Sequence, residues 1–177
     1  GSLRYLALDV QDSAFLSTLH HEFMHLLEDR LSQTSYEVYK PVFMFWDNLG
    51  PKEAEHHGFA LTYTDASGDT FFDLDYTALL EDAQAHPDRV WFVDAYSRTW
   101  PLEDRARLFE HMMTTSPSAD PFIFPHLRKK AQILAALLRQ SFPSLKAVAT
   151  APWESQIEQA ADAEAFLGSV YDELTAP

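Results

Sequence analysis

The pentapeptide His21-Glu22-Phe23-Met24-His25 holds the residue types and spacing in this chain that could do chemistry. Two imidazoles four residues apart on a helix stand one turn apart on one face, where both can reach a single ion. Glu22, next to the first imidazole, is placed to accept a proton from water activated at that ion. Two histidines alone make a poor site, because a catalytic zinc takes three protein ligands and keeps its fourth position open. A third ligand on a separate element is therefore expected. Glu103 has the best context. It opens a second helix after a polar turn and shares a face with Ala106 and Glu110, and the small Ala106 leaves room for another helix to approach. His56, His57 and Glu110 are the alternatives.

The element carrying the pentapeptide is predicted to run from about Ala14 to Leu31, capped by Asp12 or Ser13. Leu16, Leu19, Phe23, Leu26, Leu27 and Leu31 recur at helical spacing and are expected to face the core. Leu3 to Val10 reads as a strand before it. Residues 32–88 are less regular. They include an aromatic and β-branched stretch from Tyr36 to Trp46, a turn at Asn48-Leu49-Gly50-Pro51 and a short strand at Gly58 to Tyr63. An apolar burst, Val90 to Val93, precedes a polar turn. Thr99 is then expected to cap the helix that carries Glu103, with Pro101 in its first turn and Leu102, Ala106, Phe109 and Met113 on its buried stripe. His126 to Ser141 is an amphipathic helix ending at Pro143, and Ser155 to Leu174 holds one or two more helices. This pattern predicts an α+β fold, mostly helical with a small sheet.

Composition narrows the classes. In 177 residues, 46% hydrophobic and 14% aromatic content supports a packed core and excludes disorder. The absence of cysteine excludes disulfides, thiolate metal ligands and a cysteine nucleophile. A net charge of −14 opposes binding to nucleic acid or anionic lipid, and no apolar run is long enough to cross a bilayer. Against that balance, Arg128-Lys129-Lys130 reads as a solvated helix face, His20 as a packing or surface residue, and Trp46, Trp91 and Trp100 as core or cleft-wall aromatics. Gly1 and Ser2 read as a tag remnant, with residues 3–177 as one domain. The compartment is left open, an extracellular or cell-envelope setting being the expectation.

The segment Phe92-Val93-Asp94-Ala95-Tyr96-Ser97-Arg98-Thr99-Trp100-Pro101-Leu102-Glu103-Asp104-Arg105-Ala106 resembles the downstream motif of gluzincin metallopeptidases. It is most similar to that of bacterial zinc peptidases with the catalytic layout of the lethal-factor protease domain. In that group a tyrosine precedes the ligand glutamate by seven positions with an Arg-Thr pair between them, an offset reproduced by Tyr96, Arg98-Thr99 and Glu103. The resemblance implies a zincin-like domain with a mainly antiparallel sheet beside the HExxH helix. It also implies one catalytic zinc held by His21, His25 and Glu103, Tyr96 as the hydrogen-bond donor to the transition state, and a peptide or protein substrate. It covers about Thr18 to Asp29 and Phe92 to Glu110. One departure stands out: Arg107 occupies the place of a second glutamate, four positions after the ligand.

Ligating histidines usually donate their other ring N–H to a carboxylate or carbonyl, for which Asp29, Asp94 and Asp104 are candidates. Two other functions fit the same residues. One is a zinc-stabilised binding module that cleaves nothing, and the other a zinc hydrolase acting on a non-peptide amide or ester. Neither oligomeric state nor substrate preference follows from the residues.

Overall fold

Long helical periodicities interrupted by prolines give a mostly helical fold. A computed structural model of the chain describes residues 14–34, 36–44, 46–49, 56, 72–73, 84–114, 120–149, 151–154, 156–157 and 162–176. Its helices are α1 (Phe15–Thr34), α2 (Tyr36–Met44), α3 (Pro101–Thr114), α4 (Pro125–Ser141), the single turn α5 (Pro143–Lys146) and α6 (Ala163–Thr175). Three of them begin on a proline, where a missing N–H costs nothing and the fixed φ suits the first turn. The stretch from Tyr36, irregular by sequence, is helical as α2 despite Pro41 within it. At α6 the Asp162 carboxylate accepts from the backbone N–H groups of Glu164 and Ala165.

Among the described residues the strands are β1 (Phe72–Asp73) and β2 (Val90–Phe92), and they pair in parallel with Phe72 opposite Val90. The mainly antiparallel sheet expected beside α1 is not seen there. The strands expected at Leu3–Val10 and Gly58–Tyr63, the caps Asp12 and Ser13, and His57 all lie outside the described residues.

Helix α4 is the hub of the core, packed by α2, α3, α5, α6 and β2. Contact on so many sides buries it almost all round, including Leu127, Ala131, Ile133, Leu134 and Leu137. That contact also corrects the reading of its basic run. Lys129 is solvated and pairs with Glu173, but Lys130 is only 4% exposed, its ammonium donating to Asp104 and to the Trp91 carbonyl.

The most extensive helix–helix contact joins α1 to α3. The face that α1 presents differs from the apolar stripe expected of it. Of that stripe Leu31 is buried and Leu27 packs against the core, but Leu16 (62%) and Phe23 (44%) are exposed, and Met24, His21 and Glu28 are buried instead. The buried face is turned by roughly 100° from the leucine stripe, about one residue step around the helix. The physical reason is α3, which offers charged partners: Arg105, itself buried, pairs with Glu28 and lies over the Phe43 ring. Breaking a buried pair strands a charge, so Glu28→Ala is expected to cost about 3–5 kcal/mol, with a much smaller cost for Glu28→Leu combined with Arg105→Met. Urea unfolding of the three proteins measures the difference.

His126 stacks on Trp91, ring centroids 3.4 Å apart, and its Nε2 bonds the Asp88 carbonyl at 2.8 Å. Burial holds its pKa below the ordinary 6.5, outweighing the pull of that carbonyl. The fold therefore favours the neutral ring. Its contribution is complete above pH 6.5 and is lost as pH falls through the lower folded-state value. His126→Phe, which keeps the stack, is expected to flatten the loss of stability below pH 6.5, measured by urea unfolding between pH 7.5 and 5.

Candidate metal centre

The α1–α3 contact brings residues far apart in sequence to one point. His21 and His25, one turn apart on α1, put their Nε2 atoms 3.3 Å from each other. Oε2 of Glu103, in the first turn of α3, stands 3.1 Å from the first and 3.5 Å from the second. These three residues form a group that could hold a metal ion. Ligands on a tetrahedral ion at about 2.0–2.1 Å stand about 3.3–3.4 Å apart, so the triangle has the size zinc requires. Glu103 Oε2 is also buried and, among the described residues, makes no hydrogen bond despite its two imidazole neighbours. A buried carboxylate oxygen left so is costly, and a cation would satisfy it.

Charge at the cluster follows from its crowding. Burial opposes the cationic form of both histidines. At His21 the carboxylates of Glu110, Glu103 and Glu22 outweigh it and push the pKa up. At His25 burial prevails, helped by His21, and the pKa falls. Glu22, adjacent to His21 on α1, is half-buried, and its charge favours protonation of His21, His25 and Tyr96.

Tyr96 enters from the turn before α3. Asp94 ties that turn: its Oδ1 accepts from the Ser97 N–H at 2.6 Å, and the Ser97 hydroxyl donates to the Asp94 carbonyl at 2.7 Å. Thr99, expected as a helix cap, instead donates its hydroxyl to the Tyr96 carbonyl at 2.7 Å. The first helical bond runs from Asp104 N–H to the Trp100 carbonyl, so Trp100 takes the cap position. The Tyr96 ring lies 6.0 Å from that of His21. Partial burial, Glu103 and Glu22 raise its pKa, keeping the hydroxyl a donor.

The remaining candidates divide. Asp104 is fully buried but faces away from the cluster, accepting from Trp46 Nε1 (2.8 Å), Lys130 (2.7 Å) and His56 Nε2 (3.2 Å). Burial would push it up, but Lys130 and His56 hold it below the usual carboxylate range. His56 is thereby committed to Asp104 and stands outside the cluster. Asp29 accepts from Gln33 on its own helix, while His25 Nδ1 has no hydrogen-bond partner among the described residues. Asp94 pairs with Arg107. His20 is half-buried and meets Phe109 edge-on, as a packing residue.

Behind the first histidine sits a carboxylate that sequence reasoning weighed only as a metal ligand. Glu110 is 6% exposed, and its Oε2 stands 3.7 Å from His21 Nδ1, the nitrogen turned away from the cluster. Its position two turns after Glu103, on the same face of α3, was the available signal.

Comparison of the chain with protein families, with curated proteins and with solved structures yields no match.

Zinc added to metal-free protein is expected to raise its stability by about 2.7 kcal/mol at a hundred times the dissociation constant, by linkage. Glu103→Ala should lose most of that gain. Thermal unfolding with and without zinc reads both, and an unchanged gain in the variant would remove Glu103 from the ligand set.

Proposed function

We propose that this chain is a zinc-dependent peptidase with a zincin-like fold. The observation that carries the reading is the His21–His25–Glu103 triangle, with Glu22 adjacent to His21 on the same helix and the Tyr96 ring 6.0 Å from that of His21. Zinc bound there would polarise a carbonyl and bring the pKa of water to about 7.

The chain's own groups account for the proton movements. Glu22 takes a proton from the attacking water as the oxygen–carbon bond forms, then delivers it to the amine as the carbon–nitrogen bond breaks. Charge develops on the carbonyl oxygen between these two steps. The Tyr96 hydroxyl donates to that oxygen, making a bond that strengthens in the transition state. At 46% exposure the tyrosine ring lies where an extended chain can reach it. Trp100 and Leu102, exposed on the same segment, offer apolar surface to substrate side chains.

Glu22→Gln is expected to cut turnover of an unstructured, fluorescently labelled protein about 10²–10⁴-fold while zinc binding persists. Tyr96→Phe should cost about 100- to 1000-fold, mainly in kcat. Chelator should abolish wild-type cleavage, and zinc should restore it. Equal inactivity of wild type and Glu22→Gln, both loaded with zinc, would overturn the reading in favour of a non-catalytic module.

A further inference from the structure

Arg107 stands at the departure from the gluzincin pattern, and its surroundings give it work. Its guanidinium pairs with Asp94 through Nε and Nη2, and its Nη1 reaches Glu110 Oε2 at 2.5 Å. Asp94 is 2% exposed and Glu110 6%, so the arginine bridges two buried carboxylates. One, Asp94, ties the turn that carries Tyr96. The other stands behind His21, 3.7 Å from a buried Nδ1 that has no hydrogen bond among the described residues.

We propose that Asp94, Arg107 and Glu110 form a positioning relay, which holds His21 with Nε2 turned to the metal and couples that ring to the turn bearing Tyr96. The inference rests on the metal site proposed above. For Nε2 to present a lone pair, the ring proton must sit on Nδ1, and the proton needs an acceptor. Glu110 is the carboxylate facing that nitrogen. At 3.7 Å the contact is electrostatic, and a shift of well under an ångström makes it a hydrogen bond. Arg107 donates from Nη1 to Glu110 Oε2 and so offsets the cost of burying that carboxylate. The same guanidinium fixes where Glu110 points, because its second arm is clamped to Asp94. An arginine four positions after Glu103 thus lets a glutamate three positions further on support the histidine.

The test is zinc affinity, measured by competition with a chromogenic chelator, beside urea unfolding of each metal-free protein. Glu110→Gln, which keeps the shape and removes the charge, is expected to weaken zinc about 10- to 100-fold, with Glu110→Asp partly restoring it. Arg107→Met should weaken zinc similarly. Asp94→Asn should change zinc affinity less and lower kcat with little change in KM, since it acts through the Tyr96 turn. Nitrogen-15 spectra of the zinc form should show His21 protonated at Nδ1, and in Glu110→Gln that signal should broaden or shift. Glu110→Gln binding zinc within about threefold of wild type overturns the relay and leaves the peptidase reading intact. Wild type that binds zinc tightly yet cleaves nothing overturns the peptidase reading alone. A wild-type chain that takes up no zinc overturns both.

Discussion

The close approach of α1 and α3 is the constraint on which the rest of the structure depends. A carboxylate near the start of one helix must come within 3.1–3.5 Å of two imidazoles on the other. Helix axes pack about 8–10 Å apart, so a side chain as short as glutamate reaches only if the helices are in firm contact and in register. Ala106, fully buried one turn along α3, adds no bulk to the packed face. The Glu28–Arg105 pair joins the same two helices further along their length. Burying such a pair is of doubtful net value to stability, but a mispaired register would strand both charges, so it selects one alignment. The His21–His25–Glu103 group and the ion pair thus pin the same interface at two points.

The interior is unusually ionic for a small helical fold, and the overall charge gives this a consequence. The chain has 13 lysines and arginines against 27 acidic residues, and Arg98, Arg105, Lys130 and Arg139 are buried. Three of these four meet buried carboxylates: Arg105 with Glu28, Lys130 with Asp104, Arg139 with Glu154. Buried carboxylates (Glu28, Asp94, Asp104, Glu110 and Glu154) match those cations almost one for one, so the outer surface keeps nearly the whole formal charge of −14. Such a surface repels polyanions and raises the local concentration of divalent cations, both in keeping with a metal site.

Within α3 consecutive residues serve different partners. Glu103 faces the histidines, Asp104 the lysine of α4, Arg105 the glutamate of α1, and Arg107 the turn before the helix. Successive positions differ by about 100° around the axis, so one short helix addresses partners on α1, on α4 and in the turn before it. Its buried arc is correspondingly wide, which is why the simple apolar stripe of Leu102, Ala106, Phe109 and Met113 describes it poorly. Leu102 at the edge of that stripe is exposed, while Asp104 and Arg105 are buried.

Local chemistry alone determined a good deal. The pentapeptide and its helix, the proline-led starts of α3 and α4, the buried burst at Val90 to Val93 and the predominance of helix all depend on neighbours within a turn or two, which periodicity and capping express directly. Strand direction was not legible in that way: an antiparallel sheet was expected and the described strands pair in parallel, because direction is set by partners distant in the chain. Tertiary structure decided which face of α1 is buried, that Asp104 serves Lys130 rather than a histidine, and that Glu110 rather than Asp29 stands behind a ligand candidate. Each depends on how two helices rotate against one another, and a residue's own spacing carries no record of the partner it will meet.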